Sequence, residues 1–291
     1  MSTGANSKPS KKVVASRHIP LEILWWDRAL LNSKSQLKAP LHWIALGEFS
    51  MGVMRSEWDN NKASYVALKG GTPYNSHGHM DAGSFILEAN GVRWAIDLGT
   101  ENYGKMREAK LDLWNYSQNS SRWSTFRVGS ESHNILRFDN EPQEIDGRAV
   151  VTELPDVNGT MGNTADLSSL YSKKTKQVRR IILLHPDHSV SLKDEWITKD
   201  RAVEVSWQLL TRAKVKKIPT GLLLEQGGQS LHLKIEEPLP MDNLTIEILD
   251  VSKSKKTQDS DNPGVSRIDI KLRTPASSND KLFIRAIPGK E

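Results

Sequence analysis

Cysteine is absent from all 291 residues. No disulfide can therefore hold the fold and no thiolate site is available, so a bound metal has to take histidine, aspartate, glutamate or backbone oxygen. No apolar run approaches the length of a membrane span, and no membrane partner is expected. Residues 1–16 are small, polar and basic without an apolar stretch, which does not read as an ordinary signal peptide. Zinc-finger spacing, aromatic RNP-like motifs and leucine heptads are missing too, so no nucleic-acid partner is expected although the formal net charge is +5. That charge fits an anionic polysaccharide equally well. Part of it lies in two solvated-looking runs, Lys8 to Lys12 and Lys253 to Lys256.

With 37% hydrophobic and 26% charged residues, the chain is long enough to bury a sizeable core. Residues 1–17 read as a disordered leader and 18–46 as a helical remnant and connector, with an amphipathic helix from Leu21 to Leu31 after Pro20. A second helix is expected between Lys105 and Gln118. From residue 47 to 291 the pattern is that of an antiparallel β-sandwich domain. Strands are expected at Ser64–Leu68, Ser84–Ala89, Val92–Asp97, Asn134–Phe138, Val178–Leu184, Ser189–Trp196 and Val203–Leu210. Further ones are expected at Leu222–Glu225, Leu231–Ile235, Leu244–Leu249, Ser266–Leu272 and Leu282–Ala286. Residues 252–264 form an insertion-like loop in which mobility is expected. Trp94, Trp196 and Trp207 fall on strand runs and read as core; Trp58 and Trp123 flank the segment described next, where sugar stacking competes with simple burial.

The segment Ser76–Gly99, SHGHMDAGSFILEANGVRWAIDLG, carries the most information. Asn90 and Gly91 suit a two-residue type I′ turn, since both central residues of such a turn need positive φ. Pairing outward sets Ala89 opposite Val92, Leu87 opposite Trp94 and Phe85 opposite Ile96 on one apolar face. The other face receives Glu88 with Arg93, Ile86 with Ala95 and Ser84 with Asp97, which returns Asp97 to the level of His77 and His79. If residues 77–79 are extended, the two imidazoles point the same way. His133, in SESHNIL, begins another strand and offers a third ligand. Two imidazoles and a carboxylate suit zinc, bound at about 2.0–2.2 Å, or another divalent ion. Ordinary polar residues at a sheet edge would give the same short spacing. A cupin-like barrel with a redox metal such as iron expects a glutamate soon after its His-any-His element, whereas here Asp81 follows at two residues and Glu88 at nine.

The runs FSMGVMRSEW (49–58), ASYVALKGG (63–71), NSHGHMDAGSFILEANGVRWAIDLG (75–99) and SHNIL (132–136) resemble the heparinase II/III-like family of polysaccharide lyases, over roughly residues 40–210. The resemblance implies a mainly β, supersandwich-like domain of two sheets that in the family follows an α/α toroid. It implies zinc on His79, Asp97 and His133, with His77 as the active-site histidine beside the metal. It implies β-elimination: the uronate carboxylate is neutralised, a base takes the C5 proton and an acid protonates the departing oxygen at C4. It also implies a periplasmic or extracellular location. Imidazole, with a reference pKa of ~6.5, is the residue type for such a base, although a role in ordering the metal loop competes for His77. Tyr103, Arg122 and Arg127 are candidates for holding substrate, against loop packing and surface charge as their ordinary uses.

Only a few dozen residues precede the matching region, so the toroid is missing from this sequence and the expected result is a truncated lyase domain with weak or no activity unless a separate helical partner completes the cleft. A non-catalytic carbohydrate-binding module that keeps the metal and the sandwich is the other reading.

Overall fold

Alternation of apolar and polar side chains governs most of the chain, and in the computed structural model, which describes residues 39–289, it becomes seventeen strands. The expected helix at Leu21–Leu31 lies outside the described residues. In chain order the first six strands are β1 (His42–Ala45), β2 (Met51–Arg55), β3 (Tyr65–Lys69), β4 (Phe85–Ala89), β5 (Val92–Ala95) and β6 (Leu136–Phe138). Next come β7 (Val150–Val157), β8 (Thr160–Asp166), β9 (Thr175–Leu184), β10 (Val190–Thr198) and β11 (Val203–Thr211). The remainder are β12 (Lys214–Ile218), β13 (Gly221–Gln226), β14 (Gln229–Glu237), β15 (Leu244–Asp250), β16 (Ser266–Thr274) and β17 (Asn279–Pro288).

Three antiparallel sheets result: β1-β2-β3-β4-β5, β15-β16-β11-β6, and an eight-stranded sheet ordered β12-β13-β14-β17-β10-β9-β8-β7. The first two abut where the Ile96 N–H donates to the Leu210 carbonyl at 3.0 Å. One continuous core takes side chains from all three sheets, among them Leu87, Trp94, Ile182, Trp196 and Trp207. The architecture is the expected sandwich, because each sheet has one apolar face and can bury it only against another.

On β10, Val190, Leu192, Asp194 and Trp196 all turn inward. Asp194 is the exception to the apolar rule, and it is compensated directly: Arg180 lies opposite on β9, with Nε and Nη2 donating to its two carboxylate oxygens at 2.7 and 2.8 Å. A buried carboxylate and guanidinium persist because each satisfies the other.

Three sequence readings need correction. Residues 42–45, assigned to a helical remnant, form the edge strand β1. The helix expected over 105–118 is the single turn-and-a-half α1 (Tyr103–Glu108), capped by the Asn102 side chain. It stops because Lys110 takes φ 56° and Leu113 folds back beside Met106 and Val128 in a small separate core. The hairpin turn is as read, with φ of 52° at Asn90 and 73° at Gly91, but the register beyond Glu88–Arg93 is not. Trp94 bulges out of the ladder, so Leu87 pairs with Ala95. Its buried indole N–H donates to the Ala89 carbonyl at 3.0 Å, which leaves Trp94 and Ala95 both inward and frees Ile96 to bond across to β11.

Candidate metal centre

The candidate residues sit on three connections at one end of the first two sheets: His77 and His79 between β3 and β4, Asp97 after β5, and His133 between a short 3-10 turn and β6. Residues 77–79 are not extended. His77 adopts φ 60°, and the Gly78 N–H closes a turn onto the Asn75 carbonyl at 2.8 Å. The two imidazoles therefore part company: His77 is exposed while His79 is buried. Glycine is required between them, since a Cβ at residue 78 would lie 2.5 Å from the Pro73 carbonyl oxygen.

Long-range hydrogen bonds hold these loops. Arg122, fully buried, donates through Nη2 to the Gly78 carbonyl at 2.9 Å and through Nη1 to the Leu113 carbonyl at 2.7 Å. The Gln143 amide accepts from the Ala82 N–H at 3.2 Å and donates to the Ala82 carbonyl at 2.7 Å. Asn134, beside His133, donates to the Phe85 and Ile96 carbonyls at 2.7 and 2.9 Å and accepts from the Leu210 N–H at 2.7 Å. It thereby fixes the ends of the strands that lead to Asp97 and His133. Arg180 adds two bonds from Nη1, to the Gly83 and Asn134 carbonyls at 2.6 and 2.7 Å, so the buried ion pair anchors the connections that carry His79 and His133 to the large sheet.

Inside this frame one ligand atom each from His79, Asp81 and His133 comes within 4.8 Å of the others. The His79 and His133 ring centroids are 5.5 Å apart. Asp97 joins through His133, whose Nδ1 lies 2.8 Å from its Oδ2, while Oδ1 accepts the Gly99 N–H at 2.8 Å. Burial, reinforced by the charge on His133, pushes the His79 imidazole down to about 4, so it is neutral and able to ligate at neutral pH. Burial alone would raise the Asp97 carboxyl, yet His133 outweighs it by charge and hydrogen bond and holds it well below the usual carboxylate range. Burial likewise opposes charge on His133, and Asp97 overcomes it in turn and raises the imidazole.

His133 Nε2 is buried with no hydrogen-bond partner. An unpartnered nitrogen on a histidine grouped with a second imidazole and the Asp81 carboxylate, with Asp97 on its other ring nitrogen, is a donor set that zinc or a similar divalent ion takes, so the residues fit a metal. Asp81 went unassigned in the sequence; its only signal was its position two residues after His79 in HGHMDAG. Its carboxylate also forms a short ion pair with Lys69.

Tyr103, the first residue of α1, meets His77: its hydroxyl lies 2.9 Å from His77 Nδ1. The Tyr116 hydroxyl accepts the His77 N–H at 3.0 Å. The two arginines read as substrate-holding candidates are otherwise engaged. Arg122 is buried on backbone carbonyls, and Arg127 is bound to Asn262 Oδ1 at 2.9 Å, the Thr100 carbonyl at 3.2 Å and the Asp261 carbonyl at 3.1 Å. Arg127, and Glu101 accepting from the Ser260 N–H at 2.9 Å, join the 252–264 loop to the connection that carries Asp97 and Tyr103.

The family model for the heparinase II/III-like C-terminal domain matches residues 50–267, which takes in every residue just described. The chain belongs to the heparinase II/III-like family. Solved structures agree on the fold of this heparinase II/III-like domain. A mutant of the heparan sulfate lyase HepC from Pedobacter heparinus is 18% identical with a TM-score of 0.65, covering 96% of this chain and 41% of that one. The Heparinase III-BT4657 gene product is 16% identical with a TM-score of 0.66, covering 90% of this chain and 38% of that one. A further Heparinase III structure is 14% identical with a TM-score of 0.63, covering 86% of this chain and 37% of that one. The chain thus spans about two fifths of the length of these proteins. No curated protein matches it. Among the described residues no helix is long and apolar enough to cross a membrane.

Proposed function

We propose that this domain serves a polysaccharide lyase acting by β-elimination on a uronate-containing anionic polysaccharide, of the heparin, heparan sulfate or alginate type. The observation that carries the reading is an exposed, tethered histidine, His77, one glycine away in the chain from the buried His79 of a His/Asp donor set in a chain of this family. When His77 Nδ1–H donates to the Tyr103 hydroxyl, Nε2 keeps its lone pair and can take the C5 proton; Tyr103 orients the ring and Tyr116 holds the His77 backbone. A metal bound at the centre would supply positive charge for the carboxylate-stabilised anion that forms at C5.

His79, Asp97 and His133 are the proposed ligands. Asp81 is already paired with Lys69, whereas Asp97 contacts His133 Nδ1 at 2.8 Å, and the two would share one ion through that nitrogen once it has given up its proton. Asp97→Asn should then weaken zinc binding by about 10-fold or more, and Asp81→Asn by less; the reverse order would transfer the ligand role to Asp81.

A second reading is a domain that binds polysaccharide without turnover. Ultraviolet detection of unsaturated uronate, on heparin, heparan sulfate and alginate, separates the two. Weak turnover by the chain alone, rising when a helical toroid partner is added and abolished by His77→Ala, is the expected result. Binding with no turnover under any of these conditions would establish the module reading.

A further inference from the structure

Tryptophan in this protein is mostly buried where it meets the core: Trp94, Trp196 and Trp207 are at most 1% exposed. Trp114 instead shows 56% of its surface to solvent, and it does so against the candidate base. Its ring lies 5.3 Å from His77 and 5.8 Å from Tyr103, at 88° to both. The rings of His77 and Tyr103 are themselves parallel within 1°. Tyr74, 62% exposed, continues the surface by packing edge-on to Tyr116 at 6.3 Å, and Tyr116 is the residue that holds the His77 backbone. The ledge is braced from beneath, where the buried Arg122 guanidinium sits 5.0 Å from the Tyr116 ring. Among the described residues the Trp114 side chain has no hydrogen-bond partner, so its indole N–H is available to a ligand.

Exposed aromatic surface of this size, backed by rigid neighbours and placed at a reacting group, is what a ligand with one apolar face requires. A pyranose ring has such a face, formed by its axial C–H groups, together with hydroxyls at the rim that accept an indole N–H. Trp58, exposed as well, differs in lying under the Arg55 guanidinium at 5.0 Å.

We propose that Trp114, flanked by Tyr74, is a stacking subsite for a pyranose ring of the polysaccharide, positioning the sugar next to His77. The site rests on the lyase-type reading above and names the part of it that recognises the sugar's apolar face in place of its charge. Stacking is not screened by salt, whereas contacts to carboxylate or sulfate are.

The test is titration calorimetry of the full chain with heparan sulfate and alginate hexasaccharides, for the unmutated protein and for Trp114→Ala, Trp114→Phe and Trp58→Ala. Trp114→Ala should lower affinity by about three- to tenfold for whichever oligosaccharide binds, a loss that persists when salt is raised. Trp114→Phe should lose less, and Trp58→Ala should match the unmutated chain. In fluorescence, the oligosaccharide should change the tryptophan emission of the unmutated protein and not that of Trp114→Phe. Unchanged affinity in Trp114→Ala overturns the subsite even where elimination by the unmutated chain upholds the parent reading. No binding of either hexasaccharide by the unmutated chain overturns both.

Discussion

Replacing Gly78 by alanine perturbs the centre without touching a ligand. The added methyl would sit 2.5 Å from the Pro73 carbonyl oxygen and 2.9 Å from that of Asn75, while ordinary contact begins at 3.4 Å. The turn must therefore open by about 0.9 Å, and what it meets is backbone, which has no rotamer to change. Metal–ligand distances tolerate only about ±0.2 Å, so a shift of that size between His77 and His79 is several times the allowance. The 2.9 Å bond from Arg122 to the Gly78 carbonyl and the 2.8 Å turn bond from Gly78 to Asn75 are strained by the same movement. A loss of about 10- to 100-fold in zinc affinity is expected, the range seen when the support of a metal site is disturbed. Crowding of this kind costs roughly 1–3 kcal/mol of stability, which for a domain of this size lowers the melting temperature by roughly 2–12 °C. Competition with a chromophoric chelator and thermal melting by circular dichroism measure the two. Affinity and melting temperature both equal to those of the unmutated protein would refute the account of how the loop is held.

Other outcomes follow from the same structure. Asp194→Ala leaves the Arg180 guanidinium buried without its counter-charge and should cost about 3–5 kcal/mol in urea unfolding; a cost below about 1 kcal/mol would show that the pair holds nothing. Because Asp97 raises the His133 pKa above its ordinary value, zinc binding near neutral pH should release a proton and strengthen as pH rises through that value. Calorimetry in buffers of different ionisation enthalpy would show this, and binding without proton release would contradict it. His79 titrates at about 4 in the fold and near 6.5 unfolded, so the unfolded chain takes up the proton first. The stability of the metal-free protein that depends on neutral His79 is complete above pH 6.5. It should fall by up to about 3 kcal/mol as pH drops towards 4 and level off below. His79→Gln should lack that decline, and an equal decline in the variant would assign it elsewhere.

Much of the sheet architecture could be read from the chain because alternation marks the strands with one buried face: the expected Val178–Leu184 is β9, which begins earlier at Thr175, and the expected Ser189–Trp196 is β10, which runs from Val190 to Thr198. Strands without a clean buried stripe escaped notice. Most of β7 is exposed, and β12 carries Lys214, Lys216 and Lys217 within five residues. The Asn90–Gly91 turn was legible because two positive φ values leave few residue choices, whereas the Trp94 bulge was not, since it depends on an indole finding a carbonyl. In the centre, His77, His79, Asp97 and His133 stood out by residue type. Nothing local showed that His77 would turn away from His79, because Arg122 reaches that loop from forty-four positions along the chain. Asp81 escaped for a related reason: His133, whose ring it approaches, lies fifty-two positions further along the chain. Arg122 and Arg127 looked like anion-binding side chains because a sequence does not reveal whether a guanidinium's donors are already occupied.

Elemental analysis of the purified full chain after equilibration with zinc and removal of excess ion tests the centre most directly. About one zinc per chain is predicted, falling to none in a His79→Ala, His133→Ala double variant that still melts cooperatively. Zinc absent from the unmutated chain, or retained undiminished by the double variant, would contradict it.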